Sequence, residues 1–279
     1  MGEALVAGLL ERSWAVPSDI RVVESVAARR DGLAAVFPGV EITAQPGEAD
    51  GTIIAVKPAG APDAVRDAVA AGGGRILSIA AGVPLAVIER AAGPGVAVVR
   101  AMPNTPALVG AGAAAVAGGM SAVDADVAWA VELLEAVGSA VVVPEALLDA
   151  VTGLSGSGPA YVFLVVEALV DAGVLVGLPR DVAAALAGQT LSGAAQLLAQ
   201  STDGPEALRA AVTSPGGTTA AGLRALEQHG VRAAFIDAVV AARDRSAELA
   251  DQAVAADSRS GSRPQDRPAP SAQRRQQQQ

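Results

Sequence analysis

The sequence predicts an α/β chain in two parts: a doubly wound, mostly parallel sheet, then an all-helical domain. Three observations carry this. Short apolar runs rich in Val and Ile alternate with helical spacing as far as Pro144, the pattern of a parallel sheet with right-handed crossovers. From Glu145 to about residue 255 every periodic stretch has helical spacing, and no strand candidate intervenes. From residue 256 the composition turns to Ser, Arg, Pro and Gln, with too few apolar residues for a core. The chain therefore reads as a sheet domain over 1–144, a helical domain over 145–255, and a disordered tail over 256–279.

Composition narrows the function. At 279 residues the chain can bury a large core, but with 51% hydrophobic and only 2% aromatic residues that core is packed from Ala, Val and Leu. A formal net charge of -9 and a pI of about 4.7 argue against nucleic acid or an anionic membrane as a partner. Without cysteine there is no disulfide, thiolate nucleophile or sulfur metal site, and a single histidine, His229, argues against a histidine zinc site or triad. No metal is expected. Mean hydropathy is +0.40, yet the longest uncharged run, Ala101 to Val123, is mostly Gly and Ala with two prolines, and Glu167 and Asp171 interrupt Tyr161 to Leu178. No secretory signal precedes the first helix, so a soluble cytoplasmic protein is expected.

The first helix, Glu3 to Arg12, follows directly on Met1-Gly2. Doubly wound nucleotide-binding sheets begin with an apolar strand and a Gly-x-Gly-x-x-Gly turn. Met1-Gly2-Glu3-Ala4 matches only the tail of such a turn, with Gly2 as its last glycine, where helix and strand come close. A Rossmann-like sheet lacking its first strand is therefore expected, with either a translation start upstream of Met1 or a truncated chain behind it, and a true truncation would impair cofactor affinity.

Ile20 to Glu24 reads as a strand and Ala27 to Val36 as a helix. At the end of this strand such sheets meet the adenosine ribose. Glu24 favours a free ribose hydroxyl and NAD; Ser25, Arg29 and Arg30 favour the extra phosphate of NADP, unless the arginines only solvate a helix start. Val40 to Thr43 is a short strand candidate, and Gly51 to Val56 a clearer one, stopped by Lys57-Pro58. Lys57, the only lysine, falls at a strand's carboxyl end, where open parallel sheets bind ligands. A helix over Ala61 to Ala71 ends at Gly72–Gly74. Next come a strand over Arg75 to Ala80, running into Ala81-Gly82-Val83, and a helix opened by Pro84. Val96 to Ala101 precedes the stiff turn Met102-Pro103-Asn104-Thr105-Pro106. Ala113 to Ala117, a helix over Ser121 to Ala136, and an edge strand over Ala140 to Val143 complete the sheet.

In the second part, helical stretches over Glu145 to Gly153 and Pro159 to Gly177 flank a glycine-rich break, Gly153 to Tyr161. No strand precedes that break, so helix packing explains it better than a nucleotide loop. Helices follow over Pro179 to Ala199, Pro205 to Val212, Thr218 to Gln228 and Val231 to about Ala255. Apolar on more than one face, they are expected to bury against a second copy. His229, before Gly230, reads as a helix C-terminal residue.

The most informative run is Ser214-Pro215-Gly216-Gly217-Thr218-Thr219. Its glycines let backbone approach a ligand, the amides opening the next helix suit a carboxylate or phosphate, and the hydroxyls can donate a proton. An ordinary helix N-cap with turn glycines fits the same residues.

This run, within Leu208 to Glu227, resembles the signature of the pyrroline-5-carboxylate reductases. So do Met1 to Ala4, Val56-Lys57-Pro58, Ala80 to Val83, Arg100 to Pro106 and Gly153 to Tyr161, and the likeness reaches from Met1 to about residue 252. It implies a Rossmann-like domain and a helical dimerisation domain, assembled as a homodimer or ring of dimers. It implies hydride transfer from NADPH or NADH to the C=N carbon of 1-pyrroline-5-carboxylate, giving L-proline. Gly2, Ala55, Val56, Lys57, Pro58, Ala80, Ala81 and Asn104 would line the cofactor. Glu145 would face the substrate, Ser214 and the amides of Gly216, Gly217 and Thr218 would hold its carboxylate, and Thr219 would donate or orient the proton. Two rivals stand beside this. Hydroxyacid dehydrogenases and deazaflavin-dependent oxidoreductases of similar build generally place a lysine on a second-domain helix, which this chain lacks. A non-catalytic oligomerising remnant would fit the missing glycines but not the Ser-Pro-Gly-Gly-Thr-Thr run.

Overall fold

A computed structural model describes residues 1–260. The sheet domain runs α1 (Gly2–Glu11), β1 (Arg21–Val23), α2 (Ala27–Val36), β2 (Glu41–Thr43), β3 (Gly51–Ile54), α3 (Ala61–Ala70), β4 (Arg75–Ser78), α4 (Leu85–Ala92), β5 (Val98–Met102), β6 (Gly112–Gly118), α5 (Asp124–Glu135) and β7 (Gly138–Val142). The helical domain holds α6 (Leu148–Val151), a π-helical turn at Thr152–Gly156, α7 (Gly158–Leu175), α8 (Arg180–Gln200), α9 (Pro205–Ala211), α10 (Thr218–Gln228) and α11 (Val231–Ser260).

The strands form two sheets. β1 and β2 pair in parallel, while β3-β4-β5-β6-β7 form a five-stranded sheet with β7 at its edge. β1 and β3 are not hydrogen-bonded to each other, so the sheet is split between them. α1 bridges the split: Leu5 and Leu9 enter the core of the larger sheet, and Val6 and Leu10 pack on that of the smaller. The sheet is mostly parallel, as expected, and the one antiparallel pair is β6 against β5. Only a short 3-10 turn, Thr105–Val109, lies between them, and a parallel return needs a crossover of roughly a dozen residues or more.

Alternation along the strands builds a core on each side of the sheet. Ile76 and Val98 point to one layer with Val65, Ile88 and Leu148, beneath α3, α4 and α6. Leu77 and Val99 point to the other, with Leu133 and Leu134 of α5. Each such side chain contributes about 1.5–3 kcal/mol on burial.

In the helical domain α7 and α8 share a small core of Val170, Ala183 and Ala187, where a Cβ on Gly173 would lie 2.9 Å from that of Ala183. Phe163, Leu164, Leu175, Leu186 and Leu197 remain exposed. Among the described residues, two helical stretches, Glu145–Leu175 and Arg180–Gln200, are long and apolar enough to cross a membrane. Apolar faces on this scale mark a contact surface.

α11, about 45 Å long at 1.5 Å per residue, ties the domains together. Gly153 lies against Val239 and Arg243, the Ser246 hydroxyl donates to Asp149 at 2.7 Å, and Arg90 of α4 pairs with Asp257. The tail boundary at 256 is thus too early, because residues 256–260 continue α11 and Asp257 is anchored. The remainder of the expected disordered tail, 261–279, lies outside the described residues.

Candidate active site

The carboxyl ends of β3, β4 and β5 lie side by side, because these strands are parallel neighbours. Gly2 opens α1 at the end of β3, where a Cβ would stand 3.3 Å from that of Ala55. No side chain caps this helix start, so its first amides are open to an anion. Ala55, Val56, Lys57 and Pro58 are all exposed beside it. Ala80 is buried and can offer only backbone, while Ala81 is exposed. The structure thus brings Gly2, Ala55–Pro58 and Ala80–Ala81 to one edge.

At the end of β1, Glu24 accepts from the Val26 amide at 2.9 Å. Arg29 lies 3.3 Å from Glu24 and 3.2 Å from Glu3. Arg30 donates to the carbonyls of Glu24 and Ser25, each at 2.9 Å. Both guanidinium groups therefore sit at the strand end, and Glu24 is already paired there.

Asn104 and Glu145 are differently occupied. Asn104 is buried; its amide oxygen accepts from Ala113 N at 2.8 Å and its amide nitrogen donates to the Ser155 carbonyl at 3.0 Å. This side chain fastens the β5–β6 connection to the π turn, which leaves its backbone to border the edge. Glu145 Oε1 accepts from Leu85 N at 2.6 Å and from Arg100 Nη1 at 2.9 Å. Sequence reasoning missed this partnership. The signal was available, since a lone charge inside the apolar run Val96 to Ala101 demands a buried partner.

The Ser214–Thr219 loop is exposed except for Gly217, which is half-buried. Gly216 has φ +69, which glycine adopts freely. Thr213 donates to the Arg209 carbonyl at 2.6 Å, closing α9. One expectation needs correction: the Gly217 amide donates to the Ser214 carbonyl at 3.0 Å, so the turn itself consumes it. The amides left open are those of Gly216 and of the first turn of α10, Thr218 onward, since the first helical bond runs from Ala221 N to Gly217 O. Among the described residues the hydroxyls of Ser214, Thr218 and Thr219 have no hydrogen-bond partner.

Within one chain the loop and the sheet edge are held apart. No hydrogen bond or ion pair joins them among the described residues. α11 meets the edge where Leu249 touches Gly82, whereas α10 joins α11 at Val231, past His229, which caps α10. From Val231 to Leu249 the axis advances about 27 Å.

Residues 145–249 match the family described as pyrroline-5-carboxylate reductase dimerisation, and these include the exposed apolar faces of α7 and α8. The chain is 46% identical over 255 residues to the pyrroline-5-carboxylate reductase of Synechocystis sp., covering 89% of this chain and 94% of that protein. It is 42% identical over 276 residues to that of Mycobacterium tuberculosis, with 89% and 93% covered. Among solved structures, the Coxiella burnetii reductase superposes with a TM-score of 0.83 at 33% identity, over 89% of this chain and 94% of that one. The Plasmodium falciparum enzyme with NADP bound gives 0.78 at 27% identity, over 90% and 94%. This chain belongs to the pyrroline-5-carboxylate reductase family.

Proposed function

We propose that the chain reduces 1-pyrroline-5-carboxylate to L-proline with NADPH or NADH. The observation that carries the reading is the Ser214–Thr219 loop, whose open amides and three free hydroxyls face solvent at a helix start. The Gly216 and Thr218 amides, with Ser214, hold the substrate carboxylate; hydrogen bonds to a charged group contribute about 1.5–3 kcal/mol each. The Thr219 hydroxyl orients or donates the proton at the ring nitrogen. The edge formed by Gly2, Ala55–Pro58 and Ala80–Ala81 fits a dinucleotide, because backbone approaches closely there and the amides of α1 are uncapped. When bound, the nicotinamide supplies the hydride.

A second copy completes the site. The apolar faces of α7 and α8 need covering, and the separation along α11 leaves one chain's loop free to face the other's sheet edge. A homodimer, alone or in a ring of dimers, follows from this reading. Arg29 and Arg30 at the end of β1 support NADPH as the preferred cofactor. The protein is read as soluble and cytoplasmic, with a small imino acid as substrate and no nucleic acid or membrane partner; its net charge of -9 supports this.

A second reading, an oligomerising relative without turnover, is favoured by one observation, the split between β1 and β3. The reverse reaction separates the two. Oxidation of L-proline by NADP or NAD at alkaline pH supports the enzyme, whereas tight dimers with no turnover support the second reading.

A further inference from the structure

We propose that Arg100 is a positioning residue for this reaction and acts through Glu145. The inference rests on the functional reading above and revises the expected part of Glu145 in it.

Arg100 lies on β5 between Ser78 of β4 and Ala117 of β6, and is only 6% exposed. Among the described residues its one ion pair is with Glu145, the first residue after the sheet domain, and the same oxygen, Oε1, accepts from Leu85 N. Leu85 opens α4, whose preceding residue, Pro84, has no side chain able to cap it. Glu145 therefore serves as a distant cap for α4 while neutralising a buried guanidinium.

The three groups meeting at this oxygen belong to different parts of the site. Leu85 ends the Ala80–Pro84 loop along the cofactor edge. Arg100 precedes the Met102–Asn104 segment on the other side of that edge. Glu145 begins the helical domain. One carboxylate oxygen thus fixes the spacing between both edge loops and the origin of the helical lobe. With Oε1 filled twice, that oxygen is committed to the frame. Misplacing reacting groups by about 1 Å can cost on the order of 100-fold in rate, so a loose frame should show in turnover before binding.

The test uses the full chain with Arg100→Met, Arg100→Lys, Glu145→Gln and the Arg100→Met/Glu145→Gln double variant. Two readouts are taken: steady-state kinetics with 1-pyrroline-5-carboxylate and NADPH, and hydrogen exchange at the Leu85 amide. The expected result is kcat lowered about tenfold by Arg100→Met and by Glu145→Gln, with substrate KM within about twofold. The double variant should be no worse than the poorer single, as for residues acting as one unit. Arg100→Lys should recover most of the loss, and Leu85 should exchange faster in Arg100→Met, although the Leu85 amide donates to Glu145 and not to Arg100. Wild-type kcat and unchanged Leu85 exchange in Arg100→Met would overturn the proposal. So would a substrate KM raised by Glu145→Gln alone, which would make Glu145 a substrate contact. If a single variant fails to fold, the double, which leaves no buried charge unpaired, is read instead: lowered kcat supports the proposal and wild-type kcat overturns it. A wild-type chain without turnover defeats the functional reading, and Leu85 exchange then still decides whether Arg100 acts through Glu145.

Discussion

Gly82 meets Leu249. A Cβ on Gly82, at the end of β4, would lie 3.3 Å from the Leu249 Cβ of α11, and Gly82 has φ +70. The long helix is thereby seated on the sheet edge at a position where only glycine is comfortable. Gly82→Val meets both the contact and the backbone, the latter costing about 1–2 kcal/mol. A drop of about 2–3 kcal/mol in unfolding free energy is expected from denaturant titration.

Arg29 and Arg30 sit at the carboxyl end of β1. Replacing both by alanine should lower kcat/KM for NADPH by about tenfold or more, the loss of a charge-assisted contact, and leave NADH nearly unchanged. Parallel kinetics with the two cofactors measure this. An equal fall with both would assign the arginines to the fold.

Thr219 is the only group to which we assign a proton. Thr219→Val should cut turnover by about 100-fold, the low end of the usual span for one acid–base group, with cofactor affinity little altered. Turnover at the wild-type rate would clear it of that role and leave protonation to solvent.

Phe163 and Leu164 of α7 are 63% and 65% exposed. Glutamate at both positions should dissociate the assembly, visible in sedimentation, and remove activity along with it. Active monomers would show that one chain's loop reaches its own sheet edge.

The legible parts of the fold are those with local chemistry. Ile76-Leu77 and Val98-Val99 are apolar on both faces, which marks buried parallel strands. Ser-Pro-Gly-Gly marks the loop because each residue limits the backbone in its own way. The direction of β6 was hidden, since Gly112–Gly118 is nearly all Ala and Gly and its sense is set by the short connection before it. The occupation of Glu145, Asn104 and the Gly217 amide was hidden too. Their partners Arg100, Ser155 and the Ser214 carbonyl meet them only in the folded backbone. The extension of α11 past Ala255 rests on Arg90 holding Asp257, a contact that composition cannot register.

The central claim is that this loop and this edge together reduce a cyclic imino acid. Its most direct measurement follows NADPH absorbance on adding 1-pyrroline-5-carboxylate to the purified chain and quantifies the L-proline formed. One proline per NADPH consumed, at a rate proportional to protein, is the result predicted. No proline from a dimeric chain that binds NADPH would contradict the account.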